Sequence, residues 1–210
     1  MELLPLRERK KIKTRHAIQN AALELVGTGS YESVTVEQIA ARAEVAPATV
    51  FRYFPTKEDI IVWDDHDRDI AEFLRQRSPG EPIVRMLEAV IAELLPSAAQ
   101  ADPLLLKRTQ LIFRTPALLN RFRERRDAII TAFAGFLTDL RGLPTDDITV
   151  EIALRCLFEA FYVATDRWQA ADAAHPLAEY AGEAFAAMTH LQDTPPRKGT
   201  NHKTALVEGR

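Results

Sequence analysis

The chain has 210 residues, 47% of them hydrophobic, and a formal net charge of −3 at pH 7. This length allows one large or two small domains, and the apolar content suffices for a buried core. The slightly acidic balance excludes a protein that binds nucleic acid through its overall charge, so any such binding must be local.

Basic residues concentrate near the start of the chain. Residues 7–15 hold six Lys or Arg side chains and one Glu, a local charge of 6 − 1 = +5. A run of this kind is an electrostatic footprint for phosphate binding. It is either an arm that reaches a neighbouring groove of DNA or the solvated start of the first helix. We expect phosphate contacts from it rather than base readout.

Two short helices joined by a tight turn are predicted over residues 35–57. Thr35 followed by Gln38 is a capping box that begins the first of them. Residues 44–45 form the turn, and Pro47 suits the first turn of the second helix, where its missing N–H costs nothing. This layout is typical of a helix-turn-helix, which places one helix in the DNA major groove.

The second short helix has two distinct faces. Val50 and Phe54 lie on one side and should anchor it to a core. Thr49, Arg52 and Tyr53 project from the other side. An Arg there can donate two of its N–H groups to guanine O6 and N7, while Thr and Tyr hydroxyls can bond phosphates. An ordinary amphipathic helix pair shows the same periodicity, so periodicity alone leaves that alternative open.

Residues 9–62 resemble the DNA-binding domain of TetR-family transcriptional regulators. The resemblance rests on Thr35-Val36-x-x-Ile39-Ala40-x-x-Ala43, followed by Val45, Thr49, Tyr53-Phe54 and Lys57-Glu58. It implies an all-α protein of about nine helices, with an N-terminal three-helix helix-turn-helix domain on a helical-bundle ligand-binding and dimerisation domain. It also implies a DNA-binding repressor rather than an enzyme, which binds a palindromic operator in the cytoplasm as a homodimer and is released by a small hydrophobic ligand.

Carried over by position, the resemblance puts seven residues at the DNA surface: Thr35, Pro47, Ala48, Thr49, Arg52, Tyr53 and Lys57. Relatives often have His or Tyr where this chain has Arg52, so the operator sequence cannot be transferred from them. Phe51, where relatives often have Tyr or Leu, is ambiguous between core and groove.

The rest of the chain is predicted to be helical almost throughout, with Pro and Gly as punctuation. The expected helices cover residues 57–77, 82–95, 103–113, 116–141, 146–171 and 176–191. The helix over 57–77 should link the two domains. The predicted division is residues 7–55 for the DNA-binding domain, 56–192 for the ligand-binding and dimerisation domain, and 193–210 for a disordered tail.

The last two helices are predicted to form the dimer interface. The helix over 146–171 is apolar nearly all round and must be covered on two sides. The last helix carries one apolar stripe: Leu177, Tyr180, Ala181, Ala184, Phe185 and Met188. We expect these helices from two subunits to build a four-helix interface about a two-fold axis.

A ligand pocket would be lined by aromatic and Met side chains: Trp63, Phe73, Met86, Phe113, Phe133, Phe158 and Tyr162. Each such residue is more often core than ligand contact. Residues 51–59, with the acidic pair at 64–65, resemble the branch near mycofactocin-associated regulators, which implies an acyl-CoA-like ligand. Six arginines would then meet its phosphates, or would form a solvated face: Arg108, Arg114, Arg121, Arg123, Arg125 and Arg126.

Other chemistry finds little support in the sequence. There is no glycine-rich phosphate loop, zinc-protease motif or nucleophile elbow, so neither catalytic residues nor a cofactor are expected. His66 and its acidic neighbours could reach a metal from one helix face, but a solvated charged face is the commoner outcome. The single cysteine, Cys156, predicts a buried, inert thiol in a reducing compartment.

No signal peptide or membrane-spanning run is expected from the hydropathy of the chain. Three alternatives stay open: an activator of the same fold, a ligand-binding module without DNA binding, and an enzyme built on a helical bundle.

Overall fold

The computed structural model describes residues 5–27, 29–64, 67–78, 80–93, 104–144 and 147–190. Within these ranges the chain forms ten α-helices and one 3-10 turn, Tyr31–Ser33, with no strand, which confirms the predicted all-α class. The helices are α1 (Leu6–Gly27), α2 (Val36–Arg42), α3 (Pro47–Tyr53), α4 (Lys57–Val62), α5 (Asp67–Arg75), α6 (Ile83–Glu93), α7 (Leu105–Arg114), α8 (Pro116–Arg141), α9 (Ile148–Ala170) and α10 (Leu177–His190).

Local sequence signals place most helix ends. Thr56 and Asp59 form the predicted capping box at the start of α4. Gly142 ends α8 in the left-handed conformation, at φ 62°, which glycine adopts without steric cost. The cap of α9 is Asp147, whose carboxylate accepts the N–H groups of Thr149 and Val150. This helix therefore begins two residues later than predicted.

The predicted continuous helix over residues 57–77 is wrong. α4 ends at Val62, Trp63 has extended backbone (φ −64°, ψ 138°), and α5 begins at Asp67. The interruption splits one expected helix into two and raises the number of helices above nine. Side chains from α1 and α7 donate hydrogen bonds to the carbonyl groups at the end of α4, in place of the backbone N–H groups of a continuous helix.

Two hydrophobic cores organise the described helices. The first lies among α1–α4, which we call the N-terminal bundle, and extends to Ile112 of α7 and Leu118 of α8. The second lies among α5, α6, α8, α9 and α10, with Met86, Leu137 and Leu154 fully buried in it. We call α5–α10 the C-terminal bundle. Helices α7 and α8 thus contact the core of the N-terminal bundle directly.

The faces of the last two helices differ from the prediction. The stripe on α10 that was expected at a dimer interface is buried or half-buried within the chain itself. The apolar side chains that α9 exposes are Ile148, Ile152 and Val163. Cys156 lies on the same surface and is exposed, so the prediction of a buried thiol is wrong. Its position on the helix, four residues after Ile152, explains why it shares that face.

Some predicted features fall outside the described residues: the tail over 193–210, the helix start at residues 102–103, Thr145, and the metal candidate His66. Among the helices that are described, none combines the length and the apolar character needed to cross a membrane.

Candidate functional site

The start of α2 is locked by reciprocal hydrogen bonds. The Thr35 hydroxyl accepts the Gln38 N–H at 3.2 Å, and the Gln38 side-chain oxygen accepts the Thr35 N–H at 2.9 Å. Ile39 and Ala40 are buried on the inner side of the helix. Thr35 itself is exposed at the N-terminus of α2.

The turn between α2 and α3 is tight. Glu44 has φ 54°, in the left-handed region, and the Val45 N–H donates to the Ala40 carbonyl at 2.9 Å. Pro47 occupies the first turn of α3, as predicted. These local bonds fix the angle at which α3 leaves the turn.

The two faces of α3 are clearly separated. Val50 is fully buried, and Phe54, just past the helix end, is 3% exposed. The outward face consists of exposed Pro47, Ala48, Phe51 and Arg52 and of Thr49, which is half-buried. Phe51, which the sequence left ambiguous, is 52% exposed and does not belong to the core. A short helix held by its inner face and carrying Thr and Arg outward can enter a DNA groove.

Tyr53 is half-buried and sits under two arginines. The Arg52 guanidinium lies 5.3 Å from the Tyr53 ring centroid, and that of Arg15, from α1, lies 5.8 Å from it. Arg15 is also 5.8 Å from the Trp63 ring. Cation–π contacts of this kind tie the end of α3 to α1 and to the end of α4.

Lys57 faces the protein more than the sequence suggested. Its ammonium donates to the carbonyls of Tyr31 and Val34, each at 3.0 Å, and stands 4.2 Å from the Tyr31 ring centroid. An ammonium has three N–H donors, so one phosphate contact remains compatible with these bonds.

Beside Lys57, the Tyr31 hydroxyl donates to the Glu58 carboxylate at 2.5 Å. Burial, together with this carboxylate, raises the pKa of Tyr31. For Glu58, burial opposes ionisation, but the hydrogen bonds from Tyr31, the backbone and Thr56, together with the charge of Lys57, outweigh it and lower the pKa. The start of α4 is thereby fastened to the segment that precedes α2.

Three arginines of the C-terminal bundle form hydrogen bonds to α4 and to the two residues that follow it. From the sequence, these arginines were expected to bind the phosphates of a ligand or to face solvent. Arg121 donates to the Asp59 carboxylate at 2.7 Å. Arg108 donates to the Trp63 carbonyl at 2.6 Å, and Arg125 donates to the Asp64 carbonyl at 2.9 Å.

Gln19 of α1 also forms hydrogen bonds to the end of α4, a role that was not predicted from the sequence. Its side-chain amide donates to the carbonyls of Ile60 at 2.9 Å and Trp63 at 2.8 Å. A signal was present, because Gln19 shares one face of α1 with Ala22 and Leu23, three and four residues later, and Arg108 lies in the stripe of α7 that also carries Ile112. Polar side chains in an apolar stripe predict buried polar contacts.

Six of the seven predicted ligand residues divide between the two cores. Trp63 belongs to the first core and packs edge-on against His16 (5.0 Å) and Phe54 (6.0 Å). Phe113 and Tyr162 stack at 5.2 Å. The others pack in the second core: Phe73, Met86, Phe133 and Phe158.

The remaining arginines differ in their surroundings. Arg123 and Arg126 lie 5.9 and 5.8 Å from the Tyr162 ring centroid, and Arg126 also pairs with Glu159 at 3.0 Å. Arg114 is exposed at the end of α7. Across the described residues, no three His, Cys, Asp or Glu side chains are grouped to hold a metal ion.

Known protein families match both parts of the chain. Residues 18–62 match the bacterial regulatory proteins of the tetR family, and residues 81–192 match the MftR C-terminal domain.

Curated relatives are named transcriptional regulators. TcmR of Streptomyces glaucescens is 30% identical over 68% of this chain and 66% of its own length. KstR of Rhodococcus jostii is 37% identical over 43% of each chain. MftR of Mycobacterium tuberculosis is 26% identical over 84% of this chain and 90% of its own. The chain thus spans just under two thirds of TcmR and less than half of this KstR.

Solved structures share the fold. Thermus thermophilus FadR, a repressor solved in complex with lauroyl-CoA, is 24% identical with a TM-score of 0.54, covering 89% of this chain and 98% of its own. Bacillus subtilis FadR, solved with stearoyl-CoA, is 23% identical with a TM-score of 0.52, covering 82% and 96%. At these identities the likeness concerns the fold alone. The family matches, one in each bundle, establish that the chain belongs to the TetR family of bacterial regulatory proteins.

Proposed function

We propose that this protein is a ligand-responsive transcriptional regulator, a repressor that binds a palindromic operator in the cytoplasm as a homodimer. The observation that carries the proposal is α3. Val50 and Phe54 anchor this helix to the first core, and its outward side carries exposed Arg52 beside half-buried Thr49. The proposed domain division remains 7–55 for DNA binding and 56–192 for ligand binding and dimerisation.

Each residue of the DNA surface has a chemical role in this proposal. Arg52 forms a bidentate hydrogen bond to a guanine, the commonest specific contact in the major groove. Thr49 and Tyr53 bond phosphates or touch a thymine methyl, and the small Pro47 and Ala48 let the helix approach closely. Thr35 and Lys57 take phosphates from beside the groove, and the basic start of α1 adds charge that makes binding salt-dependent.

The proposed dimer uses the apolar surface of α9. Ile148 and Ile152 are 69% and 53% exposed, Val163 is 40% exposed, and they share one helix face with Cys156. Exposed apolar stripes of this kind mark interaction surfaces. A two-fold partner packed on this face, with the outward side of α10 beside it, would space two α3 helices for half-sites about 34–36 Å apart.

The proposed effector is a small hydrophobic molecule, acyl-CoA-like in chemistry. Support comes from the aromatic and Met side chains of the second core and from the FadR neighbours, which were solved with acyl-CoA ligands. Trp63 lies buried in the first core and Phe113 packs against that core, so the proposed lining is the other five: Phe73, Met86, Phe133, Phe158 and Tyr162. To move the operator from about 99% bound to 99% free, the effector must favour one state by about 5.5 kcal/mol.

The test is a gel-shift titration of the full chain on the DNA that flanks its own gene. It is run at two salt concentrations, with and without lauroyl-CoA and stearoyl-CoA, and repeated on fragments from a genome-wide selection. We expect tight, salt-dependent binding to a palindromic fragment, released by a thioester.

The outcomes separate the parts of the proposal. Specific binding that no thioester reverses would remove the effector class and keep the regulator. Absence of specific binding to any selected fragment would leave a ligand-binding module without DNA binding. Transcription that rises when the protein occupies its site would make it an activator.

A further inference from the structure

One backbone oxygen joins the two bundles. The Trp63 carbonyl accepts hydrogen bonds from Gln19 of α1 at 2.8 Å and from Arg108 of α7 at 2.6 Å. Gln19 and Arg108 are each only 6% exposed. Two buried donors, one from each bundle, therefore meet on a single acceptor.

The interruption after α4 makes this oxygen available. In a continuous helix the carbonyls of Ile60 and Trp63 would accept the N–H groups four residues later. Here α4 ends at Val62, and Gln19 and Arg108 bond these carbonyls instead. Because an unpaired buried polar group carries a large penalty, the two side chains stabilise the interrupted form of the helix.

The oxygen is also connected to the proposed DNA surface. The Trp63 ring packs edge-on against Phe54, the residue that ends α3. Arg15 lies over both the Trp63 and Tyr53 rings. A displacement of Trp63 must therefore displace the end of α3 or break these contacts, because packed side chains have little free space to absorb it.

We propose that Gln19 and Arg108 are positioning residues for operator binding, acting through the Trp63 carbonyl. Their two bonds set the orientation of α3 relative to the C-terminal bundle, and rearrangement of α7 acts on DNA affinity through this oxygen. The inference rests on the proposed function for its consequence at DNA. Its structural half, the orientation of the bundles, is testable without DNA or effector.

The first experiment measures that orientation by spin-label distance in the full chain. Labels are attached through Glu37→Cys on α2 and Ala128→Cys on α8, both exposed positions, with the exposed Cys156 changed to Ser. Excess unlabelled chain restricts the signal to pairs within one chain. The distance distribution is compared among wild type, Arg108→Met, Gln19→Met and the control Lys107→Met, which changes an exposed basic residue on the same helix.

We expect Arg108→Met and Gln19→Met to broaden or shift the distribution, and Lys107→Met to leave it unchanged. Arg108→Lys, which keeps the charge and a donor, should lie between wild type and Arg108→Met. If a thermal scan shows that Arg108→Met does not fold, the distance distributions of Gln19→Met and Arg108→Lys test the inference instead. Distributions identical to wild type in every folded variant would overturn the inference.

The second experiment measures affinity for the selected operator, for a single half-site, and for operators with one base pair inserted or removed between half-sites. Arg108→Met should weaken binding to the full operator about tenfold. Energetic coupling between two sites of a protein typically changes affinity by about 5- to 150-fold. It should also reduce discrimination among spacings while half-site affinity stays at the wild-type level. Wild-type spacing discrimination in the variant would contradict the inference. A wild type that binds no operator would instead contradict the proposed function, and the distance measurement still decides the orientation.

Discussion

Arg121 on α8 donates from Nε to the Asp59 carboxylate on α4 at 2.7 Å, and Asp59 in turn completes the capping box with Thr56. One carboxylate therefore begins a helix of the N-terminal bundle and pairs with the C-terminal bundle. Burial alone would raise the pKa of Asp59, but the bonds from Arg121 and Thr56 outweigh it and lower that pKa.

The first prediction concerns acid stability. The pKa of Asp59 is lower in the folded than in the unfolded chain. The ionised Asp59 carboxylate therefore contributes to the free energy of unfolding above about pH 4, the ordinary Asp value, and this contribution is lost as the pH falls further. Asp59→Asn should lower the free energy of unfolding at pH 7, and the gap from wild type should close below about pH 4. Denaturant titrations across this range measure it. Glu124→Gln, which removes the other, exposed partner of Arg121, is the control and should change stability by about 1 kcal/mol or less.

The second prediction separates two nearby phenylalanines. Phe54 is 3% exposed and Phe51 is 52% exposed. Phe54→Ala should lower the free energy of unfolding by about 3–5 kcal/mol because it opens a cavity in the first core. Phe51→Ala should change it by no more than about 0.5 kcal/mol. Equal losses in the two variants would show that the assigned faces of α3 are wrong.

The third prediction concerns base readout. Arg52→Ala should weaken operator binding by about 1–3 kcal/mol and relax preference at one base pair. Fluorescence anisotropy on the selected operator and its single-base variants measures both effects. Arg85→Ala, an exposed arginine on α6 that pairs with Glu88, is the matched control and should bind as wild type. Unchanged affinity and selectivity in Arg52→Ala would remove α3 from the groove.

The fourth prediction concerns the dimer. Ile152→Glu places a charge on the exposed apolar face of α9 and should convert the dimer to a monomer, since an unpaired charge is costly in a buried interface. Light scattering should then report about the chain mass of 23.6 kDa instead of twice that value. Leu6→Glu, at a leucine that is 60% exposed on α1, should leave the dimer intact. A wild type that is already monomeric at micromolar concentration would contradict the proposed dimer.

What the sequence predicted well depends on contacts within about four residues. The capping boxes of Thr35–Gln38 and Thr56–Asp59, and the left-handed Gly142, were readable because each bond closes within a single turn. The inward side of α3 was readable for a similar reason, since the 3.6-residue period places Val50 and Phe54 on one face.

Faces were harder to predict than helices. The exposure of Cys156 and the inward stripe of α10 depend on which neighbouring helix covers which side. A helix that is apolar nearly all round, such as α9, gives no local signal for that choice.

The sequence by itself determined an all-α TetR-family chain, the positions of most helix ends and the residues that α3 turns outward. Only the tertiary structure decided that the helix over 57–77 is interrupted at Trp63 and that three arginines hold α4. The donors that replace the missing backbone bonds, Gln19 and Arg108, lie 44 and 45 residues from Trp63 along the chain. Local propensity carries no information about partners that far away, so their choice emerges only when the two bundles pack.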